Sequence, residues 1–261
     1  MTPVSTRPIA CQKCREHNQV EIYESINSHQ THLRDKLNSG ELWKWRCTHC
    51  THENATIYPL LYHDMRKWCL IYYLDRSITD DPKIIAQMVP APDQLTALRR
   101  FNSTYRFRLC RSLDDFIEKV RILNAGLDDR AVEYLKRRSR ANDMERERAA
   151  VNGRFERLTE GDIKTLDFGP SPSSSKPSEI AFSTYSDALA MIKGRLADET
   201  DADSGFVVVD QSYIEQRFPE AAPKNKDASA PLGASAATMG SVVFGKGKPF
   251  DEPRKSRWRF W

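Results

Sequence analysis

Two Cys-x-x-Cys pairs carry the clearest chemistry in the sequence. Cys11 and Cys14 form the first pair, Cys47 and Cys50 form the second, and 32 residues separate the pairs. At this spacing one tight turn directs both sulfurs toward a single point, and two such turns together make a tetrahedral tetrathiolate, the closed geometry of structural zinc. The four cysteines are therefore predicted to be metal ligands, with Zn²⁺ as a structural cofactor. Iron is the alternative, because the same four thiolates also serve one-electron transfer.

The residue after each pair is unusual for such a knuckle. Many knuckles place glycine there, where the backbone turns left-handed, but this chain has Arg15 and Thr51. A left-handed conformation costs a residue with a side chain about 1 kcal/mol, and more for a β-branched one. Two interpretations are open: metal binding offsets this cost, or the second turn differs from the first.

Tyr62-His63-Asp64 is a weaker candidate for acid–base chemistry. A histidine beside a carboxylate could titrate near neutral pH, so an enzyme that uses His63 and Asp64 is one alternative function. No nucleophile accompanies the pair in the sequence. We therefore favour a structural role, in which His63 and Asp64 hydrogen-bond the turn before a strand, and we predict no catalytic residues.

Aromatic residues near the second pair allow two interpretations. Trp43, Trp45, Tyr58 and Trp68 could form a stacking platform for single-stranded nucleic acid, which makes a zinc-ribbon nucleic-acid-binding regulator the other alternative function. The same residues could instead form the core of a small sheet, which we favour. Cys69 and Cys110 lie in apolar strand patterns and are predicted to be buried thiols.

The end of the chain combines cations with aromatic side chains. Residues 244–261 carry six Lys/Arg and two Asp/Glu, which accounts for the whole net charge of +4. Such a segment could dock into a groove on a partner protein or engage nucleic acid or a membrane surface, or part of it could fold back onto its own domain. The candidate partner-binding residues are Arg257, Trp258, Arg259, Phe260 and Trp261.

Composition limits the class of protein. The remaining 243 residues are neutral overall, which argues against a generally basic nucleic-acid binder. No run of 18 apolar residues predicts a transmembrane helix, and the first ten residues lack the apolar segment of a secretory signal. We therefore expect a reducing cytoplasm, where Cys-x-x-Cys pairs bind metal rather than form disulfides.

Periodicity predicts an α+β fold that positions the cysteines. A small antiparallel sheet includes a fully buried strand over 68–74, and two helices pack on it, one capped by Ser112 over 112–124 and one from 128 to about 140. The predicted organisation is a zinc-binding domain over 9–140, a charged helical extension over 141–168 and a linker over 169–178. A small α/β segment over 179–218, too short to be stable without docking, and a disordered tail over 219–261 follow.

Four blocks of the sequence resemble the bacterial CpXC domain, a zinc-ribbon-like family of uncharacterised function. The blocks are EIYESIN (21–27), LRDKLNSGELWKWRCTHC (33–50), YPLLYHDMRKWCLIYYL (58–74) and FIEKVRILNAGLDDRAVEYLK (116–136). The resemblance covers about 9–138 and implies a bacterial or archaeal protein with Cys11, Cys14, Cys47 and Cys50 as ligands. It supplies no reaction. Gln12 and Thr48 replace the prolines for which the family is named.

Together these observations predict a zinc-stabilised, non-enzymatic module that binds a protein partner, through the C-terminal tail or through exposed aromatic residues. All four ligands are expected to be used in holding the ribbon, which leaves no open coordination position for catalysis.

Overall fold

The structure, a computed structural model, describes residues 4–143, 153–170, 177–196 and 205–219. These residues form an α+β fold, as predicted. The strands are β1 (Val4–Ala10), β2 (His17–Tyr23), β3 (Ser25–Asn27), β4 (Lys44–Arg46), β5 (Glu53–Ala55), β6 (Leu60–Asp64), β7 (Cys69–Tyr73), β8 (Arg106–Cys110), β9 (Phe155–Thr159), β10 (Thr165–Phe168) and β11 (Ser178–Ala181). The helices are α1 (Thr31–Asn38), α2 (Pro82–Met88), α3 (Pro92–Phe101), α4 (Leu113–Asn124), α5 (Asp129–Asp143), α6 (Phe182–Arg195) and α7 (Gln211–Arg217), and a 3₁₀ turn spans Glu41–Trp43.

A four-stranded sheet in the order β3-β6-β7-β8 lies at the centre of the N-terminal part. The β6 and β7 strands form an antiparallel hairpin, whereas β3 and β8 join it in parallel. The main sheet is thus mixed rather than purely antiparallel. The reason is topological, because the long connections from β3 to β6 and from β7 to β8 carry helices that return the chain to the same end of the sheet.

The β7 strand is buried along its whole length, as its apolar run predicts. Side chains alternate between the two faces of the sheet. Cys69, Ile71 and Tyr73 pack toward α1 and α4, while Leu70 and Tyr72 pack toward α2 and α3. The sheet therefore has helices on both faces, which is why this strand contains so little polar sequence.

The α4 helix begins and ends as the sequence predicts. The Ser112 side chain caps it by accepting a hydrogen bond from the Asp115 amide, and Asp114 and Asp115 favour its positive N-terminal end. The helix stops before Gly126, whose φ of 75° suits glycine. The α5 helix then begins at Asp129, with an Asp128 carboxylate oxygen accepting from the Arg130 amide.

The prediction of a charged helical extension over 141–168 is wrong for residues 155–168. The α5 helix is described to Asp143, and residues 155–168 form the antiparallel strands β9 and β10, which β11 extends to a three-stranded sheet. Phe155, Leu166 and Phe168 are fully buried, and burying this alternating apolar set decides the conformation despite the high charge density. Most of the predicted linker, residues 171–176, lies outside the described residues, and β11 begins at Ser178.

The predicted segment 179–218 docks onto the rest of the chain. Residues of α6 and α7 share a hydrophobic cluster with α5, β9 and β10 that includes Leu135, Tyr185, Ile192, Ile214 and Phe218. Val207, in the same segment, forms an isolated bridge with Arg108. The predicted tail lies outside the described residues after residue 219. Across the described ranges, no helix has the length and apolar character needed to cross a bilayer.

Candidate metal centre

The structure brings the sulfurs of both Cys-x-x-Cys pairs to one point. The Sγ atoms of Cys11, Cys14, Cys47 and Cys50 all lie within 4.8 Å of one another. The Cys11 and Cys50 sulfurs are 3.7 Å apart, and those of Cys14 and Cys47 are 3.6 Å apart. A tetrahedral zinc with Zn–S bonds of about 2.3 Å places its sulfurs about 3.8 Å from each other. The cluster therefore has the dimensions of a tetrathiolate site.

Both knuckles have the same backbone geometry. In the first, the Cys11 amide donates to the Glu16 carbonyl and the Arg15 amide to the Cys11 carbonyl; in the second, Cys47 donates to His52 and Thr51 to Cys47. Arg15 has a φ of 66° and Thr51 a φ of 58°. The second turn therefore does not differ from the first, and both accept left-handed backbone strain of about 1–2 kcal/mol per residue.

Backbone amides inside each knuckle point at a sulfur. The Lys13 amide lies 3.4 Å from the Cys11 Sγ, and the His49 amide lies 3.4 Å from the Cys47 Sγ. N–H donors of this kind stabilise negative charge on sulfur. The backbone thus prepares one cysteine of each pair to be a thiolate, which is the form that binds metal.

Two buried asparagines link the knuckles by a reciprocal exchange of hydrogen bonds. Asn18, four residues after Cys14, donates from Nδ2 to the Cys47 sulfur and accepts from the Thr48 amide through Oδ1. Asn54, four residues after Cys50, donates to the Cys11 sulfur and accepts from the Gln12 amide. Each knuckle therefore orients a sulfur and a backbone amide of the other.

A short repeat in the sequence indicates this exchange, although the two asparagines were not predicted. Both knuckles read Cys-x-x-Cys-x-x-x-Asn, in CQKCREHN (11–18) and CTHCTHEN (47–54). Asn18 and Asn54 are both buried. A short repeat built on polar residues has no hydrophobic period, so a search for apolar periodicity does not find it.

Ionisation of the cysteines follows from these contacts. Burial opposes the thiolate of Cys11, but the Cys14 and Lys13 amides and the Asn54 side chain lower its pKa to about 6. The pKa of Cys47 is also lowered, because the Cys50 and His49 amides and Asn18 outweigh burial. At Cys14 the Glu16 amide favours the thiolate, but burial and the neighbouring sulfurs together raise the pKa to about 12. Four adjacent thiolates repel one another, so the donor set requires a cation to ionise completely.

The residues present fit a metal with thiolate ligands. Four sulfurs at tetrahedral spacing complete a structural coordination shell, and no other group of three or more His, Cys, Asp or Glu side chains within the described ranges could hold a metal. His17, His49 and His52, the histidines nearest the pairs in sequence, are not in the cluster.

His63 and Asp64 have structural surroundings. They lie in the strand β6 rather than in the predicted turn, since the hairpin turn begins only after Asp64. His63 is buried, its Nε2 is 2.5 Å from the Tyr105 hydroxyl, and burial lowers its pKa. Asp64 accepts from the Arg66 and Lys67 amides and so closes the turn. This arrangement supports the structural interpretation of the pair.

The aromatic residues near the centre contribute mainly to the core. Trp43 is buried and packs against Tyr58, Tyr73 and Phe116, while the half-buried Trp45 donates to Thr56. Cys69 and Cys110 are buried, and burial raises the pKa of both thiols.

Two basic residues near the centre pair with acids, Lys44 with Glu41 and Arg46 with Glu53. The candidate tail residues Arg257 to Trp261 lie outside the described residues.

A second polar feature was not predicted. Seven charged side chains, buried between β8, α4 and α5, form what we call the buried charge cluster: Arg108, Arg111, Glu118, Lys119, Asp129, Glu133 and Lys136. A sequence signal exists, because Asp129, Glu133 and Lys136 repeat at the spacing of one helix face. A charged helix face normally indicates exposure to solvent, so the pattern alone gave no reason to place it inside.

Comparison with known proteins identifies one family. Residues 9–136 match the family model described as CpXC protein. No curated protein and no solved structure matches the chain. The matched region contains all four clustered cysteines and both asparagines and ends within α5.

Proposed function

Because the chain is a CpXC domain protein, with the domain over residues 9–136, we propose that it is a zinc-stabilised module that binds a protein partner. The observation that carries this proposal is the four-sulfur cluster. Its four ligands fill a tetrahedral shell and leave no position for a substrate, so the centre serves to hold the fold.

Zinc is the proposed metal because closed tetrathiolate sites of this spacing are typical structural zinc sites. When bound, Zn²⁺ would cross-link residues 11–14 to residues 47–50, and structural zinc contributes about 10–16 kcal/mol of apparent folding free energy in small zinc peptides. Asn18 and Asn54 would orient Cys47 and Cys11 for this role. The metal would offset the strain at Arg15 and Thr51.

The proposed partner is a protein, and the proposed contact is the tail from Arg257 to Trp261. Cationic and aromatic side chains at a chain end can anchor in a groove of a partner, where aromatic and arginine residues contribute most binding energy. Nucleic acid is the less favoured partner, since Lys44 and Arg46 near the centre are already paired with acids.

The metal is tested by elemental analysis and chelation of the purified chain. We expect about one zinc per chain, and we expect the Cys11→Ser and Cys47→Ser variants to lose this zinc. When a strong chelator removes the zinc, the near-ultraviolet circular dichroism from Trp43 should be lost. A metal-free chain that stays fully folded in chelator would contradict a structural centre. Iron in the purified protein, together with visible absorbance, would identify the metal as iron rather than zinc.

The partner is tested by comparing binding with and without the tail. Lysate of the source organism is passed over the immobilised full chain and over a variant with Trp258, Phe260 and Trp261 changed to alanine. We expect one protein retained in stoichiometric amount by the full chain only, with zinc content equal in both. Equal retention by both chains would exclude the tail as the contact while leaving the structural metal centre intact.

A further inference from the structure

The buried charge cluster is nearly, but not completely, satisfied by its own ion pairs. Arg108 makes two hydrogen bonds to the Asp129 carboxylate, at 2.7 and 3.2 Å, and Lys119 lies 3.4 Å from the same carboxylate. Lys136 contacts both oxygens of Glu118 at 3.0 Å and Glu133 at 3.1 Å. Arg108, Lys119 and Lys136 thus balance the three buried carboxylates.

Arg111 is the fourth buried cation and has no buried carboxylate partner. Its side chain is 8% exposed, and its Nη2 contacts the Thr79 carbonyl and Asp80. Asp80 is 74% exposed, so water screens its charge. Nη1 is buried without any hydrogen-bond partner. An unpaired buried donor on a cation is costly, so a further acceptor, from water or from a ligand, would stabilise it.

A second unpartnered donor lines the same space. The Nε2 of Gln211 is buried and has no hydrogen-bond partner. Arg111 and Gln211 both line a cavity of about 390 Å³. This volume lies within the range of small-molecule sites.

The cavity wall combines charged and apolar residues. Leu109, Val208 and Val209 supply apolar surface. The charged lining has both signs, with five basic residues against four acidic ones: Arg76, Arg111, Lys119, Lys136 and Arg154 against Asp115, Glu118, Glu133 and Asp210. Lys119 also donates to the Val209 carbonyl at 2.9 Å, which ties the segment after residue 205 to α4. The wall therefore combines the family-matched region with residues beyond it, since Gln211 and Val209 lie outside 9–136.

We propose that this cavity binds a small organic anion, whose phosphate or carboxylate group contacts Arg111 and Gln211. A planar guanidinium and an amide N–H are a complementary donor set for an oxyanion, and a bound anion would satisfy both orphan donors. The apolar wall takes the uncharged body of the ligand. Binding closes the cavity across two regions, so it holds residues 205–219 against the CpXC domain.

The experiment is isothermal titration of the metal-loaded full chain with phenyl phosphate, benzoate, inorganic phosphate and the uncharged benzyl alcohol. Comparing phenyl phosphate with benzoate distinguishes a phosphate site from a carboxylate site. We expect saturable one-to-one binding of at least one aromatic anion, weaker binding of inorganic phosphate and none of benzyl alcohol. Amide hydrogen exchange in residues 205–219 should slow when the anion binds.

Matched variants distinguish a ligand site from a structural network. Arg111→Met and Gln211→Leu should each weaken binding of the anion by about tenfold or more, because each removes a charged or buried hydrogen bond. Arg121→Met changes an arginine of α4 that does not line the cavity and that donates to the Asn38 carbonyl, so it should leave affinity unchanged. Gln211→Leu does not change the charge of the cavity, so it still tests anion binding if the Arg111→Met variant fails to fold. No binding of any anion at millimolar concentration, or equal binding by wild type and Gln211→Leu, would overturn the proposal.

Discussion

Two residues with unfavourable backbone conformations mark the metal centre at the residue scale. Arg15 and Thr51 both have positive φ directly after the second cysteine of a knuckle. In these two turns the Cys-x-x-Cys sulfurs converge and the amides of Lys13 and His49 each point at a sulfur. The strain is thus tied to the metal site.

Replacing Thr51 with glycine should stabilise the metal-loaded protein by about 1 kcal/mol, because glycine adopts a positive φ without a steric cost and threonine does not. The measurement is urea unfolding of Thr51→Gly against wild type at fixed free zinc. His49→Gly, in the same turn but without positive φ, is the control and should be neutral or destabilising. A gain of equal size in both variants would show that strain at Thr51 is not the cause.

How much the sequence predicted at this scale depended on the kind of signal. The four cysteines were predicted as ligands because the spacing of metal-binding cysteines is visible in the sequence itself. Asn18 and Asn54 were missed because their value comes from contacts 29 to 43 residues away, which sequence spacing does not display. His63 was placed in a turn, whereas β6 extends through it and turns only after Asp64.

The two knuckles act as one repeated element at the next scale. Each contributes two sulfurs, one left-handed residue and one asparagine, and the asparagines cross to the opposite knuckle. This reciprocity means that neither half can hold its geometry alone.

Asn18→Ala and Asn54→Ala should each weaken zinc affinity by about 10–100-fold, the usual loss when a group that orients a ligand is removed. Each change also leaves a backbone amide, that of Thr48 or Gln12, without its acceptor. Competition with a chromophoric chelator measures the affinity. Asn124→Ala, which removes the Tyr62 hydrogen bond elsewhere, should lower stability without changing intrinsic zinc affinity. Losses that differ tenfold between Asn18→Ala and Asn54→Ala would contradict an equivalent pair.

Element prediction succeeded where periodicity and capping agreed, as in α4 and β7. The helices α2 and α3 were not predicted. Pro82 and Pro92 begin them, at a position where proline is favoured because its missing N–H is not needed. The strands β9 and β10 were missed because their few apolar residues are spread through a dense charge pattern.

At the scale of the whole molecule, buried charges lie where two hydrophobic clusters meet at α4, which contributes Ile122 to one cluster and Val120 and Leu123 to the other. One hydrophobic cluster lies between the central sheet, α1 and α4, and another between α5 and the C-terminal elements. The buried charge cluster spans β8, α4 and α5, and Glu118 also accepts from the Phe155 amide. The sequence could not predict this junction, since its members come from three elements and make sense only when buried together.

Asp129→Asn tests this junction, because Asp129 is fully buried and balances both Arg108 and Lys119. Leaving two buried cations short of a carboxylate should cost about 3–5 kcal/mol, measured by denaturant unfolding at pH 7. The neighbouring Asp128→Asn, which keeps a capping side chain, should cost under about 1 kcal/mol. A paired Arg108→Met/Asp129→Leu variant should recover much of the loss, since one cation is removed with the carboxylate and Lys119 keeps Glu133, at 3.8 Å, as its partner.

The Asp129 carboxylate also makes the stability of the protein depend on pH. Burial alone would raise the pKa of Asp129, but Arg108 and Lys119 hold it far below its usual range. The folded state therefore binds this proton less readily than the unfolded chain does, so the contribution is complete above about pH 5 and declines as pH falls from the unfolded pKa of about 3.9 toward the lower folded pKa. Wild type should lose stability in that window more steeply than Asp129→Asn does. Parallel acid profiles would mean that Asp129 does not carry the charge that holds β8, α4 and α5 together.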